Sequence, residues 1–209
     1  MNGHYINFDN PGIHSLGPEA AEEAGKKRVF GVPAGRRAFE YFFETILPDL
    51  QQYYWYAQGF QATPFVDLIY KPGGEEELDK YFVSFPEFEN WGACGMKCGI
   101  LPKHAKYLKD DDLDLIGLPG PESHFKPLAL ELFQAFKPAA RNLYYDLIQK
   151  HSEICFFCED GRSWEIYSKR DDFLAKVSAR LKSIPAVTLK TCTLHKRDTE
   201  LFNNWGIPG

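Results

Sequence analysis

The chain has 209 residues, a net charge of −5 and a pI of about 5.7, so it lacks the basic balance of a general nucleic-acid binder. No run of about 18 apolar residues is present to span a membrane, which argues against a membrane partner. At 44% hydrophobic residues, a chain of this size can bury a core without disulfides or metals to staple it.

From the N-terminus, MNGHYINFDNPG shows neither the positive nor the apolar segment of a secretion signal. The odd count of five cysteines is therefore read as reduced thiols in a cytoplasmic protein. Residues 1–33 read as irregular, an arm packed on the body through Tyr5, Ile6, Phe8 and Ile13. The body is then a single domain over 34–209. Residues 34–58 carry Phe39, Phe42, Phe43, Ile46, Leu47, Leu50, Tyr53 and Tyr54 at three- and four-residue spacing. That spacing predicts a helix, with Pro48 inside it and Gly59 as its stop.

Two strands are predicted next, over 64–71 and 80–86, followed by a Gly-rich loop over 87–99 and a short helix over 101–111. Ser123 is placed to cap a helix through KPLALELFQAF, which Pro138 interrupts. A second helical piece carries Leu143, Tyr144, Leu147 and Ile148 on one face. Residues 154–158 read as a strand, Glu159-Asp160-Gly161 as a turn, and 162–167 as the returning strand. In that returning strand Trp164 and Ile166 share one face, and Glu165 and Tyr167 the other. Ser168 and Asp171 resemble a capping box, and Phe173, Leu174, Val177 and Leu181 give the following helix its core face. A last strand is expected over 186–195. The pattern predicts an α+β fold, with a mixed or antiparallel sheet of about four to six strands covered by helices.

Few residues announce chemistry. Cys94-x3-Cys98 and Cys155-x2-Cys158 supply the four thiolates of a tetrahedral zinc site, yet in a flat strand Cys155 and Cys158 face opposite sides. Buried hydrophobic thiols are the favoured reading, with no metal and no cofactor expected. Cys94, set among glycines, is the best nucleophile candidate, but nothing in the sequence names its base. Glu40 and Glu44 lie one turn apart beside Arg36 and Arg37, an arrangement that suits surface ion pairs. There is no His-Glu-x-x-His, no phosphate loop and no Gly-x-Ser-x-Gly. The acidic groups at 75–79 and 110–114 read as solvated loops, or as an acidic face that steers a basic partner. Arg162 and Trp164 at the hairpin are of the residue types that dominate binding hot spots, and the alternative, which the sequence favours, makes Trp164 a core residue and Arg162 a solvated one.

Residues 154–182, ICFFCEDGRSWEIYSKRDDFLAKVSARLK, run strand, turn, strand, capped helix. The stretch resembles segments of small bacterial immunity-type and uncharacterised α+β proteins. The resemblance carries no functional residue with it. It implies a non-catalytic protein-binding module, one that neutralises a basic partner such as a toxin. Asp110, Asp111, Asp112, Arg162 and Trp164 are then the candidate contact residues. Two alternatives stand beside it. One is an enzyme whose site assembles only in three dimensions, and the other is a small zinc-stabilised protein using Cys94, Cys98, Cys155 and Cys158.

Overall fold

Side chains that alternate between two covered faces set the architecture. In the computed structural model, residues 1–7, 46–59, 80–85, 88, 92–101, 113–159, 163–182 and 188–197 are described. Their strands are β1 (Asn2–Asn7), β2 (Tyr54–Gly59), β3 (Phe82–Val83), β4 (Ala93–Met96), β5 (Leu113–Leu118), β6 (Ile154–Glu159), β7 (Ser163–Ser168) and β8 (Thr188–Thr193). They form one sheet in the order β3-β4-β2-β5-β6-β7-β1-β8, and every neighbouring pair is antiparallel. Eight strands exceed the expected four to six. The α+β class and the antiparallel pairing agree with the sequence reading.

Helices α1 (Glu122–Ala135) and α2 (Arg141–His151) cover one face, and α3 (Asp171–Lys182) covers the other. Along β6, Ile154, Phe156 and Cys158 pack toward α3, whereas Cys155 and Phe157 pack toward α1 and α2. Because both faces are covered, the strand reads as a continuous apolar run, ICFFC, instead of an alternating one. Phe156 and Phe157 are almost wholly buried. Truncating either to Ala would cost about 3–5 kcal/mol in lost transfer energy and cavity. Among the described residues, no helix is long and apolar enough to cross a membrane.

Several expectations change. The helix predicted through residue 58 ends at Leu50, and Tyr54–Gly59 is the strand β2, hydrogen-bonded between β4 and β5. Trp55, Tyr56 and Ala57 are fully buried there, on alternate faces. With both faces apolar, the two-residue period hides inside a run that also satisfies helical spacing, and aromatic rings favour the pleated surface. Ala93–Met96, expected within a loop, is β4; a Cβ on Gly95 would collide with the rings of Phe85 and Phe125, so the glycine lets β4 pass beneath them. Asn2–Asn7, expected to be irregular, lies in the sheet between β7 and β8, with Tyr5 and Ile6 buried.

Among the described residues of the strand expected over 80–86, Phe82–Val83 is assigned to a strand and residues 80–81 are helical. The strand expected over 64–71, the greater part of the helix expected over 101–111, and Glu40 and Glu44 lie outside the described residues. Helix α1 starts at Glu122 after Pro121, so Ser123 sits inside it and is not its cap. In α2 the buried side chains are Tyr144, Tyr145 and Ile148, while Leu143 is 54% exposed. The hairpin, the faces of β7 and the core face of α3 lie where the sequence puts them.

Candidate functional site

A strand buried on both faces has no cheap place for a carboxylate, and β5 and β7 each carry one. Asp114 interrupts the apolar run of β5, and Glu165 interrupts that of β7. Both project toward α1 and α2. Glu165 is buried and Asp114 half-buried; a carboxylate drawn out of water must be paired, hydrogen-bonded or protonated, and these two take different routes.

Glu165 is paired. It is 2% exposed and accepts hydrogen bonds from Arg197 Nε at 2.9 and 2.7 Å and from the Tyr167 hydroxyl at 2.6 Å. Arg197 follows the 3-10 turn Leu194–Lys196 at the end of β8 and is itself buried. Its guanidinium lies 4.8 Å from the centre of the Phe157 ring, and Nη1 donates to the Tyr145 hydroxyl at 2.9 Å. Burial works against the charge of Arg197, but Glu165, Tyr145 and Asp114 together outweigh it and hold the guanidinium firmly protonated. The Tyr145 hydroxyl also accepts from Arg141 Nε at 2.9 Å, so one phenol oxygen joins two guanidinium groups.

Asp114 is hydrogen-bonded but not neutralised in this way. Its Oδ2 accepts the Tyr144 hydroxyl at 3.0 Å. Burial pushes its carboxyl up to about 7, with Glu165 adding to the rise; the attraction of Arg197, the Tyr144 hydrogen bond and Arg141 oppose it. Tyr144 is driven well above its ordinary value, first by burial and then by the Asp114 charge. The phenol therefore remains a hydrogen-bond donor at neutral pH, while the carboxyl exchanges its proton there.

These groups face a cavity of about 330 Å³, at the small end of the range for small-molecule sites. Asp114, Tyr144, Tyr145 and Arg197 line its inner part, and Phe136, Lys137, Pro138 and Arg141 stand at its exposed side. The lining combines one carboxyl titrating near neutrality, a phenol donor and three cationic side chains. It is equipped to bind an anion and to give or take a proton.

The residues singled out from sequence lie elsewhere. Trp164 is 1% exposed, packed in the core beneath α3, so its ring is not a surface anchor. Asp110, Asp111, Asp112 and Arg162 lie outside the described residues. Asp114, the last acid of that run, belongs to β5 and not to a solvated loop. Cys155 and Cys158 occupy opposite faces of β6, and Cys98 is exposed and 3.6 Å from the Gln52 carbonyl oxygen. Among the described residues, no three His, Cys, Asp or Glu side chains gather as metal ligands. Cys94 lies in β4, where burial pushes its thiol up to about 12, the opposite of an activated nucleophile. One signal for the site was present in the sequence. Leu-Asp-Leu-Ile-Gly-Leu and Trp-Glu-Ile-Tyr each place a single carboxylate inside an otherwise apolar strand. Tyr144, Tyr145 and Arg197 give no comparable signal. Comparison with protein-family models, curated proteins and solved structures finds no match to this chain.

Proposed function

We propose that the protein binds a small molecule in the α1–α2 cavity and transfers a proton to or from it, with Asp114 as the acid–base group. One observation carries this reading. Asp114 is a carboxyl in the cavity wall, held by Tyr144 at 3.0 Å and poised to exchange its proton near pH 7. An acid kept in that state costs stability, and a side chain serving the fold alone would be better placed as an amide or a hydrocarbon. In the ionised form Asp114 takes a proton from the ligand, and the electron pair stays on the ligand near the positive charge of Arg197 and Arg141. In the protonated form it returns the proton. Glu165, Tyr167 and Tyr145 are positioning residues: they fix Arg197 and keep its charge beneath the cavity.

The test is a carboxyl titration of the intact chain by carbon-13 NMR, with Asp114→Asn to assign the resonance. The expected result is an Asp114 midpoint near 7, and a midpoint in the ordinary carboxylate range near 4 would end the proposal.

A protein-binding module remains a second reading, and a different observation favours it. Phe136 and Leu143 are 44% and 54% exposed where α1 meets α2, and large apolar side chains of that kind anchor protein contacts. Leu143→Glu separates the two readings. It would abolish co-purification of a partner from source cells while leaving the Asp114 titration unchanged. A partner retained by that variant would remove this reading.

A further inference from the structure

Strand β1 carries a histidine onto the sheet face that α3 covers. His4 shares that face with Ile6 and stands between Ile166 of β7 and Thr191 of β8. Helix α3 packs across these three strands. His4 Nδ1 is buried and, among the described residues, has no hydrogen-bond partner. A neutral ring can keep a bare lone pair there at small cost. Protonation turns the same atom into a charged N–H donor with no acceptor, and burial penalises that form far more.

The groups around the ring do little to offset the penalty. On its own face, β7 presents Trp164, Ile166 and Ser168, β8 presents Leu189, Thr191 and Thr193, and β1 presents Asn2 and Ile6, none of them charged. From α3 come two influences of opposite sign. The Leu174 backbone accepts a hydrogen bond from the ring and favours its charge, whereas Lys182 repels it. Arg180, on the same turn as Lys182, is a second cation. The acids of α3, Asp171 and Asp172, are exposed in its first turn, and Asp172 holds Arg170. Burial is the largest of these effects, and it keeps the ring below its ordinary value of 6.5.

We infer that His4 is an acid-sensitive latch on α3. While neutral, it lets α3 seat on β1, β7 and β8. On protonation it loosens that seat and uncovers the apolar face of Phe173, Leu174, Val177 and Leu181. The folded ring resists a proton that the unfolded ring accepts at 6.5, so its contribution to stability is complete above that pH and is lost as pH falls below it. The direction is opposite to that of Asp114, and the latch does not depend on the proposed acid–base site.

The experiment is hydrogen exchange of the intact chain, read by mass spectrometry at about pH 7.5 and about pH 5.5 and corrected for the intrinsic rate of each amide. Between the two, amides of α3 should lose about tenfold more protection than those of α1 and α2, the scale set by one buried donor left without an acceptor. His4→Gln, which has no charge to gain, should abolish that difference. Proton NMR of the unaltered chain, with the ring assigned through its contacts with α3, should place the His4 midpoint below 6.5. An equal change in all three helices, the same loss of α3 protection in His4→Gln, or a midpoint at or above 6.5 would each overturn the inference. The NMR titration needs no substitution, so it decides the matter even where His4→Gln fails to fold.

Discussion

Asp114→Asn should make the protein more stable at neutral pH, an unusual direction for a substitution in a buried strand. The folded carboxyl is raised to about 7, against an ordinary value of 3.8 for the exposed group. Between those values the folded state holds the proton more tightly than the unfolded state. Stability therefore falls as pH rises from about 4 to about 7, and the whole penalty is present above 7. The separation corresponds to roughly 4 kcal/mol as an upper limit, and partial access of solvent to the cavity reduces it to about 2 kcal/mol. Arg197, Arg141, Tyr144 and Glu165 all face the group, and their effects are already contained in its raised value. Asparagine keeps an oxygen for the Tyr144 hydroxyl and removes the charge. In thermal unfolding at about pH 4, 6 and 8, the variant should match the parent at the lowest pH and gain several degrees at the highest, on the scale of about 2–4 °C per kcal/mol for a chain this long. A variant no more stable than the parent at about pH 8, or one shifted equally at every pH, would refute the reasoning.

Two further outcomes follow from the packing around this site. Arg197→Met leaves Glu165 buried without its cation and should destabilise the fold by about 3–5 kcal/mol in chemical unfolding, and adding Glu165→Gln should restore part of that loss. Gly3→Ala should be severe although the change is small, because a Cβ there would fall 2.3 Å from Tyr167 Cδ1 and 2.5 Å from the Ile166 carbonyl oxygen. A melting temperature within a degree or so of the parent would show that β1 does not pass beneath Tyr167 as described.

The hairpin and α3 were legible because their signals are local. Asp160-Gly161 marks the turn, β7 alternates, and Phe173, Leu174, Val177 and Leu181 recur at helical spacing. The segment Tyr54–Gly59 was not, because its rings satisfy two periods at once. Placing it required knowing that β4 and β5 lie on either side of it and that both faces of the sheet are covered. The same holds for β1, whose two partners come from the far end of the chain.

The candidate site divides in the same way. That a carboxylate sits inside LDLIGL is a property of the sequence, and so is the need for some compensation once the strand is buried. Whether the compensation is a cation, a hydrogen bond or a proton depends on which side chains arrive from elsewhere. Glu165 receives Arg197 from 32 positions away, and Asp114 receives Tyr144 from 30 positions away. By itself the sequence determined composition, charge and the local periods that make strands and α3. Only the tertiary structure decided that one acid is paired with a cation and that the other is held by a phenol hydrogen bond, with its carboxyl raised to about 7. Electrostatic energy depends on distances through space, and the order of residues along the chain does not specify those distances until the sheet has assembled.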